Sequence, residues 1–136
     1  MIRIADILEH KGDQVLTVTA DTPVARVAER MRLAQVGAFV VSRDGVHVEG
    51  LVTERDVVYG LTAQGADVVD APVSSVMTHP VLTCEPCDPV ERVLGQLTRL
   101  RLRHLPVVER DRLCGLVSIG DLIKTYLDDD AYTVRR

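Results

Sequence analysis

The sequence predicts an α/β (α+β) fold made of two tandem copies of one helix–strand–helix–strand–strand–helix unit. Three observations carry that expectation. The first is an internal repeat. Val15-Leu16-Thr17 recurs as Val81-Leu82-Thr83, and at the same offset Pro23-Val24 matches Pro89-Val90, Arg26-Val27 matches Arg92-Val93 and Val41 matches Val107. After a one-residue slip, Gly50-Leu51-Val52-Thr53 matches Gly115-Leu116-Val117-Ser118, and Asp56 matches Asp121. The slip falls at a polar turn, where chain length changes at little cost. The second observation is that short apolar runs alternate with stretches at helical spacing. The third is size: a copy of about 60 residues has a marginal core on its own, so the two copies are expected to pack on each other.

Each copy opens with a short helix, Ile4 to Glu9 or Val73 to Met77, followed by an apolar strand, Val15 to Val18 or Val81 to Cys84. Thr22-Pro23 and Asp88-Pro89 read as an N-cap with proline at the first helical position, since proline lacks the N–H that position leaves unused. Val24, Val27, Ala28 and Met31, and likewise Val90, Val93, Leu94 and Leu97, then recur at helical spacing. Two strands follow around a polar turn: Ala38 to Ser42 with Gly50 to Thr53, and Leu105 to Val108 with Cys114 to Ser118. Arg43-Asp44-Gly45 and Glu109-Arg110-Asp111 suit hairpin turns. Each copy closes with a helix opening at Asp56 or Asp121. On this reading residues 1–62 form the first copy, 63–72 a linker holding Gly65 and Pro72, 73–128 the second copy and 129–136 a frayed polar tail.

Composition narrows the function. With 136 residues, 46% hydrophobic and 26% charged, the chain is globular in character. Its formal net charge of −4 lacks the basic footprint of a nucleic-acid binder. One Phe and no Trp leave no stacking platform for single strands. No apolar run is long enough to span a bilayer and the opening residues are no signal peptide, so no membrane association and a cytoplasmic location are expected. Three cysteines at irregular spacing make no disulfide framework.

The sharpest local feature closes each copy: Gly50-Leu51-Val52-Thr53-Glu54-Arg55-Asp56 and Gly115-Leu116-Val117-Ser118-Ile119-Gly120-Asp121. An apolar strand delivers a hydroxyl and, three residues later, a carboxylate at the mouth of a helix. Helix capping accounts for one such pattern. It accounts less well for two that keep the hydroxyl and Asp while the intervening residues differ. Helix-start N–H groups favour phosphate and a carboxylate can bind a ribose diol, so the arrangement also suits a nucleotide.

These endings, together with Asp21-Thr22-Pro23-Val24 and Arg103-His104-Leu105-Pro106-Val107-Val108, resemble a tandem pair of cystathionine-β-synthase (CBS) domains, a stand-alone Bateman module, from about Ile4 to Leu127. The resemblance implies a small mixed sheet with helices on one face in each repeat, pseudo-twofold packing and two clefts between the repeats. It also implies adenosine-containing ligands (AMP, ADP, ATP, NAD(H) or S-adenosylmethionine), no required cofactor, a flat homodimer built through helix faces and an unidentified regulated protein. The implied first site uses Thr53, Arg55 and Asp56, with adenine near Thr78, Val81 and Leu82 and with Leu102 from the second copy. The second uses Ser118 and Asp121, with adenine near Lys11, Val15 and Leu16 and with Val36, Gly37 and Ala38. Arg103 and His104 stand where the family often places phosphate contacts; as cations at a helix C-terminus they equally complement its dipole. Gly120 stands where the first copy has Arg55, so the two sites are not equal in charge.

Two other readings follow from the residues: a structural dimerisation module without ligand, and a metal or thiol sensor using Cys84 and Cys87, with His79 and Cys114 as further ligands. Cys84 and Cys114 fall on expected strands, where free cysteine is ordinarily core. Asp128 to Asp130 reads as a solvated run. The four histidines form no nucleophile–base pair legible in sequence, and no phosphate-binding glycine loop is present, so no enzymatic activity is expected.

Overall fold

A computed structural model describes residues 1–12 and 14–135, with side chains through residue 127. Its two compact units cut across the sequence copies: a continuous unit, Val15–Val81, and a split unit, Met1–Gln14 with Leu82–Arg136.

In the continuous unit, β1 (Thr17–Val18) pairs parallel with β2 (Ala38–Val41), which pairs antiparallel with β3 (Gly50–Thr53). All of β2 is buried, as its unbroken Ala-Phe-Val-Val run requires, because both its faces are covered. Helix α2 (Val24–Ala34) buries Val24, Val27 and Met31, one stripe at helical spacing. Val27 and Met31 meet Val18, Phe39, Val41, Val52 and Val73 in one core. The Arg30 guanidinium lies 4.9 Å above the Phe39 ring and donates to the Thr17 carbonyl at 3.1 Å. Helix α3 is Glu54–Gln64.

The split unit pairs β4 (His104–Glu109) antiparallel with β5 (Arg112–Ser118). Arg110 and Asp111 turn this hairpin with φ of 53° and 67°, the left-handed geometry that matches strand twist. Helices α1 (Ile4–Lys11), α4 (Val90–Leu100) and α5 (Ile119–Arg135) pack with the hairpin around Ile4, Ile7, Val93, Leu97, Val107, Val117 and Leu122.

The exchange of opening segments explains the division into units. The N–H of Val90 donates to the Ile2 carbonyl and that of Ile4 to the Asp88 carbonyl, both at 3.0 Å, joining α1 to the second sequence copy. In the continuous unit, Val73 donates to Thr22 at 2.7 Å and Val24 to Ala71 at 2.9 Å, joining the second copy's opening segment to the first. Each repeat's opening segment therefore covers the other repeat's helix.

Several boundaries differ from the sequence reading. Pro23 and Pro89 are themselves the N-cap residues, extended at ψ 142° and 138°. Asp88 instead caps the preceding turn through the Glu85 N–H at 2.8 Å, and Thr22 hydrogen-bonds Thr19. The expected strand Val81 to Cys84 shrinks to one bridge between Cys84 and Val107, because Pro80 and Pro86 bracket the segment without N–H donors. The expected helix Val73 to Met77 is a 3₁₀ turn, Val73–Ser75. Residues 63–72, the expected linker, carry helical structure: α3 continues to Gln64, and a 3₁₀ helix, Gly65–Asp70, buries Val68. The closing helices open at Glu54 and Ile119, two residues before the expected Asp56 and Asp121. Helix α5 continues through residue 135, into the 129–136 segment that the sequence reading takes as a tail; the side chains of the Asp128–Asp130 run lie outside the described residues.

Candidate functional site

Thr53 ends β3 and caps α3. Its backbone N–H donates to Asp56 Oδ2 at 2.9 Å, and its hydroxyl accepts from the Asp56 N–H at 3.3 Å. Ser118 and Asp121 repeat this at α5: Ser118 N–H donates to Asp121 Oδ2 at 2.9 Å, and Asp121 N–H donates to Ser118 Oγ at 3.1 Å. Both motifs are capping boxes with Asp as the reciprocal acid, so capping is realised in both copies.

Capping requires only local atoms, yet each carboxylate also meets a donor from a distant segment. In the continuous unit Thr78 bridges β3, donating its N–H to the Leu51 carbonyl at 2.8 Å and accepting from Leu51 at 3.1 Å. The bridge brings the Thr78 hydroxyl to 3.3 Å from Asp56 Oδ1. In the split unit the donor is Lys11, at the end of α1. Its ammonium donates to the carbonyl of Leu116, the counterpart of Leu51, at 2.7 Å and to Asp121 Oδ2 at 2.5 Å. Burial pushes the Asp121 carboxyl up, but the Lys11 ammonium and Ser118 N–H outweigh it and hold the group below its ordinary value.

The glycine that opens each motif permits this approach. A Cβ at Gly50 would stand 2.6 Å from Met77 Sδ and 3.1 Å from the Thr78 carbonyl; one at Gly115 would stand 2.6 Å from Leu8 Cδ2. The signal available in the sequence is a glycine recurring at the same place before the leucine of each motif, since glycine within a strand marks close approach of another segment.

The remaining expected residues fall as follows. Ala38 lies opposite Thr53 in the β2–β3 register, and Gly37 accepts from the Glu54 N–H at 3.1 Å. His104 lies opposite Ser118, and the Arg103 carbonyl accepts from Ile119 at 2.8 Å. Arg55, Arg103 and Leu82 are exposed; Val15, Leu16, Val36, Val81 and Leu102 are half-buried. Each motif thus adjoins the 36–38 or 102–104 segment of its own unit. The expected placements of Leu82 and Leu102 with Asp56, and of Val15, Leu16, Val36, Gly37 and Ala38 with Asp121, join residues of different units and stay expectations of the resemblance. Arg103 and His104, expected to favour phosphate around the second site, belong to the unit of Asp121. Lys11, expected beside adenine, has its ammonium on the carboxylate instead.

The thiol reading changes. Cys84 is a core residue, and burial pushes its thiol up to about 12, so it is protonated at neutral pH. Cys114 donates to the Val107 carbonyl at 3.4 Å. Among the described residues the potential metal-ligand cluster is Glu85, Cys87 and Asp88, with ligand atoms within 4.8 Å of one another, and it contains neither Cys84 nor His79. No helix among the described residues is long and apolar enough to cross a membrane.

Two small α/β units with matching strand-to-helix capping motifs define a tandem-repeat protein. The CBS domain pattern matches residues 2–62 and 73–128, and the chain belongs to the CBS domain family. It is 32% identical over 128 residues to the CBS domain-containing protein YhcV of Bacillus subtilis, covering 94% of this chain and 90% of that protein. The crystal structure of the CBS-domain containing protein ATU1752 from Agrobacterium tumefaciens aligns with a TM-score of 0.88 at 35% identity, covering 92% of this chain and 99% of that one. The CBS domain protein PAE2072 from Pyrobaculum aerophilum, solved in complex with AMP, shares the fold at a TM-score of 0.77 and 24% identity, covering 88% and 89% of the two chains.

Proposed function

We propose that this chain is a regulatory module that binds adenosine-containing nucleotides at the two hydroxyl-x-x-carboxylate helix starts, without catalysing a reaction on them. One observation carries the reading: each capping carboxylate meets a second donor from a distant segment, Thr78 on Asp56 and Lys11 on Asp121. A cap needs no such partner. A ribose site does use a carboxylate among exchangeable donors, next to helix N–H groups that favour phosphate. Family membership and the AMP bound to PAE2072 support the same ligand class. The test is thermal stabilisation of the full chain by AMP, ADP, ATP, NAD(H) and S-adenosylmethionine, repeated on the Asp56→Ala/Asp121→Ala double variant. Stabilisation by one of them, lost in the double variant, is the expected result; no shift with any ligand overturns the reading.

The proposal includes a homodimer that signals to an unidentified regulated protein. Val58 and Leu61 on α3 and Ile123 and Leu127 on α5 are 56%, 45%, 42% and 58% exposed, more apolar surface than the units' own cores use. Light scattering is expected to give twice the 15.0 kDa chain mass, and a monomer at micromolar concentration overturns this part.

A further inference from the structure

Lys11 and Thr78 do the same two jobs in different units, and they differ in one chemical respect. Each donates to the backbone carbonyl of the motif's leucine and to the motif's carboxylate. A hydroxyl both donates and accepts, so Thr78 can turn to accept from an incoming hydroxyl when Asp56 engages a ribose. An ammonium only donates, and it carries a full charge. Asp121 Oδ2 already accepts from the Ser118 N–H and the Lys11 ammonium, which fills the two lone-pair directions of that oxygen. A diol binding through both carboxylate oxygens must therefore displace Lys11. The displaced ammonium then needs a new anion.

The space beside the pair can hold one. A groove of about 830 Å³ opens in the split unit, and Lys11, Asp121 and Lys124 line it. Lys124 follows Asp121 by three residues on α5, on the same side of the helix. Of the other acids on the groove wall, Asp6 is committed to the Arg3 N–H at 2.8 Å at the start of α1, and Glu9 lies on α1.

We propose that Lys11 is a specificity-determining residue that makes the Asp121 site select phosphorylated ribonucleosides over neutral ones, while the Asp56 site accepts both. A neutral nucleoside at Asp121 gives up the Lys11–Asp121 pair and returns nothing to the ammonium. A nucleotide returns a phosphate. The inference rests on the nucleotide reading above and deepens it.

The test is calorimetric titration of adenosine and of AMP into the full chain, into Asp56→Ala, which leaves the Asp121 site, and into Asp56→Ala combined with Lys11→Met or Lys11→Arg. In Asp56→Ala, AMP is expected to bind about tenfold or more tightly than adenosine, the scale of one charge-assisted contact. Lys11→Met is expected to reduce that preference to within about threefold, adenosine binding no worse than before, and Lys11→Arg to retain it. An AMP-to-adenosine ratio unchanged by Lys11→Met, with binding intact, overturns the role of Lys11 and leaves the nucleotide reading standing. Absence of binding by either compound in the unsubstituted chain overturns both. The thermal melts of the two Lys11 variants report folding directly, and Lys11→Arg separates loss of charge from loss of packing.

Discussion

Ser118 and Asp121 exchange two hydrogen bonds, N–H to carboxylate at 2.9 Å and N–H to hydroxyl at 3.1 Å. The aspartate is therefore a helix cap whatever else it does, and an alanine there removes the cap together with any ligand contact. Asparagine separates the two, because its amide oxygen still accepts from Ser118 while the charge is gone. Asp121→Ala is expected to cost about 1 kcal/mol of stability, and Asp121→Asn well under that. Both are expected to weaken nucleotide binding at that site by roughly ten- to a hundredfold, since a charge-assisted acceptor is worth about 1.5–3 kcal/mol. Chemical denaturation and calorimetry on the same preparations check the two effects. If Asp121→Asn bound nucleotide like the unsubstituted chain, the carboxylate would be a cap and nothing more.

The Lys11–Asp121 pair also makes stability depend on pH. Net of burial, the Asp121 carboxyl titrates below the 3.8 of an unperturbed aspartate. A group whose pKa is depressed on folding contributes stability that is fully present above the unfolded value and is lost as pH falls through the folded one. The split unit is thus expected to lose stability in acid below about pH 4, the pair's contribution being full and unchanging between about pH 5 and 8. With 38% and 29% of the two side chains exposed, solvent screens the pair and the effect is modest. Denaturant midpoints at pH 3 and pH 6 are expected to differ less in Lys11→Met than in the unsubstituted chain. An equal difference in both would place the acid sensitivity elsewhere.

Gly50 and Gly115 give the packing test. Alanine at Gly50 would press on Met77 Sδ and, at 3.1 Å, on the Thr78 carbonyl, part of the bridge that holds the Thr78 hydroxyl near Asp56. Alanine at Gly115 would press on the Leu8 side chain, whose Cδ2 would stand at 2.6 Å. Each is expected to destabilise by about 1–3 kcal/mol. Leu8→Ala should relieve the clash in Gly115→Ala, so the double variant is expected to lose less than the sum of the single losses. Met77→Ala should relieve Gly50→Ala only in part, because the backbone contact remains. Strict additivity at Gly115 and Leu8 would rule out the close approach.

What the sequence made legible tracks what repeats within it. The helical stripes at Val24, Val27 and Met31 and at Val90, Val93 and Leu97, and the two hairpins, follow from periodicity and recur at a fixed offset. The strand-to-helix motifs were legible for the same reason, down to Thr53, Asp56, Ser118 and Asp121. The exchange of opening segments was not, because Ile4 and Val73 look equally apolar against either repeat and only backbone pairing with Asp88 and Thr22 decides the matter. The Lys11 position was assigned to adenine by resemblance. Its contact with Asp121 spans 110 residues, and the second copy offers Met77 at the matching offset, so no repeat signal marked it. The prolines misled in a consistent way: both sit one place earlier than the first helical position, as extended N-caps.

The cysteines give the last prediction, and its direction follows from burial. Cys84 is 3% exposed within the split unit's core, while Cys87 is exposed on the turn before α4. Only the thiolate attacks an alkylating reagent, and a thiol pushed up to about 12 is ionised to about one part in ten thousand at pH 8. Access and ionisation therefore act in the same direction at Cys84. Brief iodoacetamide treatment of the native protein at pH 8, followed by peptide mapping, is expected to modify Cys87 and leave Cys84 unmodified, and denaturant is expected to make Cys84 reactive. Cys87→Ser should then remove the rapid labelling while leaving Cys84 protected. Native labelling of Cys84 at the rate of Cys87 would mean that the segment around its bridge to Val107 opens readily, and would make Cys84 a candidate for thiol chemistry.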